Sequence, residues 1–161
     1  MIDWRSGFRL HKNTFAPEPF EDDKILKGGP ELNHVMDVQI YYEDTDCGGV
    51  VYYANYLRYM ERARTGYLAA KGHSVKKLMS EGTYFMVLRA EVDYRFPARY
   101  GDIIEIETWV RDVTRATMIF EHVMRDKSSR RVFVECRTKV VYVDTQTKPK
   151  RLTAEYVEKI K

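Results

Sequence analysis

Apolar and polar residues alternate along most of the chain after residue 35, and this period of two predicts β-strands with one buried face. The first alternating run covers residues 36–42. Later runs cover approximately residues 84–96, 104–111, 117–125 and 132–142. Turn-forming residues separate the later runs, which is typical of long antiparallel strands joined in sequence.

A helical period separates the first strand from the others. Apolar residues recur there at steps of four, three, four and three, at Tyr56, Met60, Ala63, Tyr67 and Ala70. This spacing predicts one long helix, with Asn55 as its N-cap and Gly72 as its C-terminal stop. A second, short helix is predicted at residues 74–81. One long helix followed by four strands indicates an α+β domain whose sheet packs around that helix.

The first part of the chain has no sustained period. Residues 1–34 mix proline, glycine, charges and isolated aromatic side chains. We interpret them as an N-terminal arm, either packed across the domain surface or a partly disordered leader, and assign the arm no function. The folded domain is predicted to cover residues 35–161.

Composition narrows the class of protein. The chain has 161 residues, of which 44% are hydrophobic and 32% are charged, as expected of a single globular domain. A net charge of +3 is too small to indicate nucleic-acid binding. No apolar stretch reaches membrane-spanning length, and the N-terminus lacks a signal core. Cys47 and Cys136 lie in unlike contexts that favour a reducing compartment, so we expect a cytoplasmic protein.

Candidate chemistry lies between the first strand and the long helix. Asp44 and Asp46 precede a Gly-Gly turn that leads into the helix. A helix N-terminus offers free N–H groups to a developing oxyanion, and a neighbouring carboxylate could attack a carbonyl or activate water. Two acids in a loop can also serve only to accept turn hydrogen bonds. No third carboxylate or histidine stands at ligand spacing, so we expect neither a metal nor another cofactor.

Residues 41–68, YYEDTDCGGVVYYANYLRYMERARTGYL, closely resemble the active-site segment of the 4-hydroxybenzoyl-CoA thioesterase family. Within that family the segment is most similar to the Tol–Pal-associated branch of acyl-CoA thioesterases. The resemblance implies the hotdog fold and hydrolysis of a short-chain aliphatic or aromatic acyl-CoA. It also implies edge-to-edge dimers, often paired into tetramers, with active sites at the dimer interface.

The resemblance assigns roles to individual residues. It puts Asp46 at the catalytic carboxylate position, as a nucleophile or as a general base. The backbone N–H of Tyr53 would polarise the thioester carbonyl while its side chain shapes the acyl pocket, although the Tol–Pal-associated branch usually has histidine there. Tyr42, Gly49 and Val50 are expected to contact the substrate, with a core position as the alternative for Tyr42.

Basic residues at strand ends are candidates for binding the CoA phosphates. We expect Arg95, Arg99 and Arg115 to contribute, and solvated surface charge is the alternative for each.

Several alternatives remain beside the leading interpretation. Glu61 on the helix is a rival catalytic acid, and Cys47 is a weaker candidate nucleophile because no histidine motif accompanies it. A non-catalytic module that binds acyl-CoA or acyl carrier protein is the alternative function. A hotdog dehydratase would need a His–acid pair that the helix lacks. The resemblance also implies acyl carrier protein and phospholipid-synthesis proteins as partners.

Overall fold

A five-stranded antiparallel sheet packs against one long helix in the computed structural model, which describes residues 33–160. The strands are β1 (His34–Gln39), β2 (Tyr84–Tyr94), β3 (Ile103–Val113), β4 (Thr117–Asp126) and β5 (Val132–Val143), in the spatial order β1-β3-β4-β5-β2. The helices are α1 (Asn55–Ala70), α2 (Val75–Ser80) and α3 (Ala154–Ile160). The predicted α+β class is confirmed. The predicted N-terminal arm lies outside the described residues apart from Asn33 and His34, and His34 already belongs to β1.

The core lies between α1 and one face of the sheet. It forms two clusters of buried residues along the helix. One cluster surrounds the first half of α1 and includes Tyr56, Tyr59 and Met60 with Ile104 and Ile106 of β3. The other surrounds the end of α1 and is built from Tyr67, Leu68, Met118, Phe120, Val140, Leu152, Tyr156 and Ile160. The predicted helical face is therefore buried as expected, except that Ala70 in the last turn is exposed.

The two ends of α1 differ from their prediction in one respect. The N-cap is Ala54, which makes no side-chain cap, so the assignment of Asn55 as N-cap is wrong. The Asn55 side chain instead donates its amide to the Asp44 carbonyl, 2.9 Å away, which places Asn55 inside the first turn. At the other end Gly72 has a φ of +81° and donates to the Ala69 carbonyl, as predicted for a glycine stop.

Two strand predictions need correction. β1 ends at Gln39, and Tyr42–Asp44 form a 3-10 turn in place of further strand. Tyr42 is 83% exposed on that turn, so the core alternative for it is wrong. In β2 the register with β5 shifts between Val87 and Arg89, so the predicted alternation does not run unbroken through the strand.

The sequence pattern predicts no helix at the position of the short helix α3. Tyr156 and Ile160 of α3 are buried, and the Tyr67 hydroxyl donates to the Ile160 carbonyl over 2.6 Å. None of the helices in residues 33–160 combines the length and apolar character needed to cross a membrane.

Candidate active site at the start of helix α1

Asp46 stands at the tip of a short hairpin that leads directly into α1. Asp46 donates its N–H to the Val50 carbonyl over 2.9 Å, and Tyr52 donates to the Asp44 carbonyl over 2.8 Å. Gly49 closes the turn by donating to the Asp46 carbonyl over 3.0 Å, and its φ of +70° favours glycine. The predicted Gly-Gly turn therefore fixes the backbone of Asp46 in the hairpin that precedes α1.

The Asp46 carboxylate is exposed, and only one of its two oxygens accepts a hydrogen bond within residues 33–160. Its Oδ1 accepts the Gly48 N–H over 2.8 Å, while Oδ2 accepts no hydrogen bond from residues 33–160. A Cβ at position 48 would lie 3.0 Å from Asp46 Oδ1, so a side chain there would crowd the carboxylate. The turn thus orients the Asp46 carboxylate and leaves one oxygen available to a substrate or a water molecule.

Asp44 has the opposite character, because both of its carboxylate oxygens are occupied. Oδ1 accepts the Tyr59 hydroxyl and Oδ2 accepts the Tyr41 N–H, each over 2.8 Å. Its carbonyl also accepts the Tyr52 N–H and the Asn55 side-chain amide. The two acids of the Asp-Thr-Asp sequence therefore differ: both carboxylate oxygens of Asp44 are hydrogen-bonded, whereas Asp46 keeps one oxygen unengaged.

The backbone amides of the two residues just before α1 are unpaired. The N–H groups of Tyr53 and Ala54 donate to no acceptor within residues 33–160. Their peptide planes are nevertheless held in place, because Asn55 donates to the Tyr52 carbonyl over 2.9 Å and the Tyr94 hydroxyl donates to the Tyr53 carbonyl over 3.1 Å. Since each planar peptide unit points its N–H away from its C=O, fixing the carbonyls also orients the two donors. Such donors at a helix N-terminus suit a developing oxyanion.

Aromatic rings surround these donors. The rings of Tyr52 and Tyr53 have centroids 4.6 Å apart, and those of Tyr56 and Tyr94 lie 5.7 Å apart. A side-chain hydrogen bond to Tyr53 raises the pKa of Tyr52, and the charge of Asp46 contributes to that rise. Tyr52 therefore stands within electrostatic range of the Asp46 carboxylate. Sequence reasoning missed Tyr52 and Tyr94; only the Tyr-Tyr pair before the helix hinted at the first.

The structure brings together most of the predicted substrate-binding residues. Gly49 and Val50 belong to the hairpin, and Arg99 Nη1 donates to the Gly49 carbonyl over 3.4 Å. The loop that carries Arg99 also packs on the hairpin through the Val51 N–H, which donates to the Ala98 carbonyl over 2.8 Å. Arg95 follows Tyr94 directly and donates to Glu135 over 2.9 Å, so it is already paired.

Arg115 is the exception among the predicted residues. It follows the far end of β3, whereas the Arg99 loop precedes the near end of that 11-residue strand. At roughly 3.3 Å per residue the strand separates the two by about 33 Å. Arg115 instead borders a groove of about 840 Å³ between the β3–β4 connection and α3. Within one chain, Arg115 therefore lies away from Asp46.

The rival residues occupy less favourable positions. Glu61 is exposed on the second turn of α1 and accepts the Thr65 hydroxyl over 2.8 Å. Cys47 is an exposed free thiol. The described histidines lie elsewhere: His34 begins β1, His73 packs against Tyr156, and His122 is hydrogen-bonded to Thr108. Among residues 33–160 no three His, Cys, Asp or Glu side chains converge as metal ligands.

Comparison with known proteins identifies the family. The thioesterase-like superfamily matches residues 41–160. The acyl-CoA thioester hydrolase YbgC of Escherichia coli O6:H1 is 37% identical over 126 residues, covering 77% of this chain and 92% of that protein. The crystal structure of a probable thioesterase from Bartonella henselae matches with 28% identity and a TM-score of 0.71, covering 75% of this chain and 99% of that one.

A 4-hydroxybenzoyl-CoA thioesterase variant crystallised with 4-hydroxybenzoyl-CoA matches with a TM-score of 0.74 over 80% of this chain and 99% of that one. At 18% identity this likeness shows the fold alone. The predicted hotdog fold and the resemblance to the Tol–Pal-associated branch are thereby confirmed. The chain belongs to the thioesterase-like superfamily and, within it, to the family of the acyl-CoA thioester hydrolase YbgC.

Proposed function

We propose that this protein hydrolyses acyl-CoA thioesters to a free acid and CoA, with Asp46 and the start of α1 as its catalytic centre. One observation carries the site assignment. The Asp46 carboxylate has an unengaged oxygen on the hairpin that leads to two unpaired, oriented amides. Family membership supports the reaction, since the relatives that share most of this chain are named acyl-CoA thioesterases.

The reaction needs little more than these two features. The N–H groups of Tyr53 and Ala54 would receive the thioester oxygen as it gains negative charge. In one route Asp46 Oδ2 bonds to the carbonyl carbon, the C–S bond breaks, and CoA leaves as a thiolate. Water then hydrolyses the resulting mixed anhydride and restores the carboxylate. In the other route Asp46 removes a proton from water, which attacks the same carbon directly.

The acyl group would lie against the tyrosines at the helix start. Tyr53 is 60% exposed beside Tyr52, so its ring is available to form one wall of a pocket. An aromatic or short-chain aliphatic acyl group suits such a wall. A flat aromatic acyl group can stack on the tyrosine ring, and a short aliphatic chain is no longer than the ring is wide. Tyr42, on the exposed turn before Asp44, and Val50 complete the proposed set of substrate contacts.

For the CoA phosphates we propose Arg99 first, because its guanidinium is already held at the hairpin. Arg95 is the second candidate, although Glu135 competes for it. Arg115 could serve only a substrate bound across two chains, since it stands at the far end of β3.

We also propose that the active unit is a homodimer or a tetramer built from two dimers. β2 is an edge strand, and its residues Met86, Val87 and Leu88 are 45%, 54% and 57% exposed. Three consecutive exposed apolar residues on an edge that pairs with no further strand within residues 33–160 suit a partner strand from a second copy. An active monomer in light scattering at assay concentration would contradict this proposal.

The decisive experiment is a thiol-release assay over a panel of acyl-CoAs, with the same acyl groups on acyl carrier protein in parallel. We expect release of CoA that depends on Asp46. Acyl carrier protein is proposed as a second acyl donor, because its thioester presents the same reacting atoms. Tight acyl-CoA binding without any thiol release would favour the non-catalytic binding module instead. The free thiols Cys47 and Cys136 support a cytoplasmic location, which is likewise a proposal.

A further inference from the structure

The catalytic hairpin and α1 are joined by more than chain connectivity. Tyr59, one turn into α1, donates its hydroxyl to Asp44 Oδ1 over 2.8 Å. Tyr59 is itself only 1% exposed, so its ring is held by the core and its hydroxyl is aimed at the hairpin. The hydrogen bond spans 15 positions of the sequence and links two elements that carry different parts of the proposed site.

Asp44 is hydrogen-bonded both to the hairpin and to α1. Its carbonyl accepts the Tyr52 N–H, which lies one residue before the first unpaired amide, and the Asn55 side chain from α1. Its Oδ2 holds the Tyr41 N–H and thereby the entry to the 3-10 turn. Asp46 is two residues further along the same strand of the hairpin. Movement of Asp44 would therefore displace the carboxylate relative to the unpaired amides.

We propose that Tyr59 is a positioning residue that acts through Asp44. The hydrogen bond between Tyr59 and Asp44 fixes the position of the Asp46 carboxylate relative to the unpaired amides at the start of α1. This inference rests on the proposed function of that site. Tyr59 would not touch the substrate, and its contribution would be the fixed geometry of the two groups that do.

The Tyr59 hydroxyl should remain a hydrogen-bond donor throughout the physiological pH range. Burial raises the pKa of Tyr59, and its hydrogen bond to Asp44 raises that pKa further. A phenol with a raised pKa stays protonated and remains a donor, because its neutral form is the favoured one. Alkaline loss of activity below about pH 10 would thus come from groups other than Tyr59.

Tyr59→Phe tests the proposal directly, because it removes only the hydroxyl. We expect kcat to fall about tenfold, since small misplacements of reacting groups can cost up to roughly 10²-fold. KM should change less than about twofold, because Tyr59 does not contact the substrate. Asp44→Ala should give at least as large a loss, since it removes the acceptors of both the Tyr59 hydroxyl and the Tyr41 N–H. The double variant should be no worse than the poorer single variant, as expected of two partners in one interaction.

Tyr67→Phe is the matched control. Tyr67 lies on the same helix, is equally buried, and donates its hydroxyl to the Ile160 carbonyl at the far end of α1. We expect Tyr67→Phe to lower the melting temperature while leaving kcat unchanged. An equal kcat loss in Tyr67→Phe at a temperature where it is fully folded would overturn the proposal, because the loss would then not depend on contact with Asp44.

The single variant Asp46→Asn, measured beside these variants, separates this inference from the proposed function. If Asp46→Asn alone keeps full activity, the assignment of Asp46 fails. If Asp46→Asn is inactive while a folded Tyr59→Phe enzyme keeps its kcat, only the positioning role fails. Should Tyr59→Phe not fold, Asp44→Ala tests the same hydrogen bond, and an unchanged kcat in that variant would overturn the positioning role.

Discussion

The two ends of helix α1 differ in how completely their backbone groups are hydrogen-bonded. At the C-terminal end Gly72 and His73 donate back to helix carbonyls, and the Tyr67 hydroxyl is bound to α3. At the N-terminal end the amides of Tyr53 and Ala54 have no acceptor within residues 33–160. Completed hydrogen bonds stabilise one end, whereas donors left open beside an exposed carboxylate suit the other end for chemistry.

The largest expected effect comes from removing the free charge at the open end. Asp46→Asn keeps the size of the side chain and the acceptor for the Gly48 N–H, but it removes the nucleophilic or basic oxygen. We expect kcat to fall by about 10² to 10⁴-fold with little change in KM. Steady-state thiol release measures both constants. A matching loss in Glu61→Gln with an active Asp46→Asn would move the catalytic acid to α1.

A smaller but still large effect is expected from removing one open donor. Tyr53→Pro deletes the N–H, and because that N–H makes no hydrogen bond to residues 33–160, the fold loses no known backbone contact. The loss of one oxyanion donor typically costs about 10² to 10³-fold in kcat. Proline is tolerated at the start of a helix, and circular dichroism would verify the fold.

Tyr53→Phe is the control, since it keeps the donor and removes the phenol. We expect kcat/KM to stay within about tenfold, or roughly 1.4 kcal/mol. A well-folded Tyr53→Phe enzyme without activity would make the hydroxyl the catalytic donor and the backbone account wrong.

A third prediction concerns the hydroxyl that orients the Ala54 amide. Tyr94→Phe keeps the ring contact with Tyr56 but removes the hydrogen bond to the Tyr53 carbonyl. Water can replace that donor, because Tyr94 is about half exposed. We therefore expect kcat to fall only about threefold to tenfold. A loss as large as that of Tyr53→Pro would mean that Tyr94 itself touches the substrate.

The smallest expected effect is on stability and comes from the buried side chain of His122. Burial lowers the pKa of His122 to about 3, and the neighbouring charge of Arg64 adds to that decrease. His122 also bonds Thr108 through Nδ1, while its Nε2 is buried without a partner in the part of the chain described. Below an ordinary histidine pKa near 6.5, the unfolded chain binds a proton that the folded chain does not.

The free energy of unfolding should therefore decrease as the pH falls from about 6.5 towards 3, by at most about 1.4 kcal/mol per pH unit from His122. Above that range His122 should contribute no pH dependence. Urea unfolding at pH 7.5 and 5.5 would measure this for the native chain and for His122→Gln. Equal pH dependence in the two proteins would assign the titration to other groups.

Local sequence was sufficient for much of the fold. The 3.6-residue period predicted α1, Gly72 predicted its end, and the period of two predicted all five strands. The Asp-Thr-Asp-Cys-Gly-Gly sequence also predicted the tight turn at Asp46. These features depend on contacts within a few residues, or on a single buried face, and such constraints are written into short stretches of sequence.

Only the tertiary structure decided the features that depend on distant partners. The Asp44 carbonyl draws the Asn55 side chain away from capping, and the partner β5 sets the irregularity in β2. Helix α3 is too short for its period to be recognised, and burial of Tyr156 and Ile160 against the end of α1 stabilises it. The bond from Tyr94 to the Tyr53 carbonyl joins residues 41 positions apart, so no local pattern could assign Tyr94 to the site.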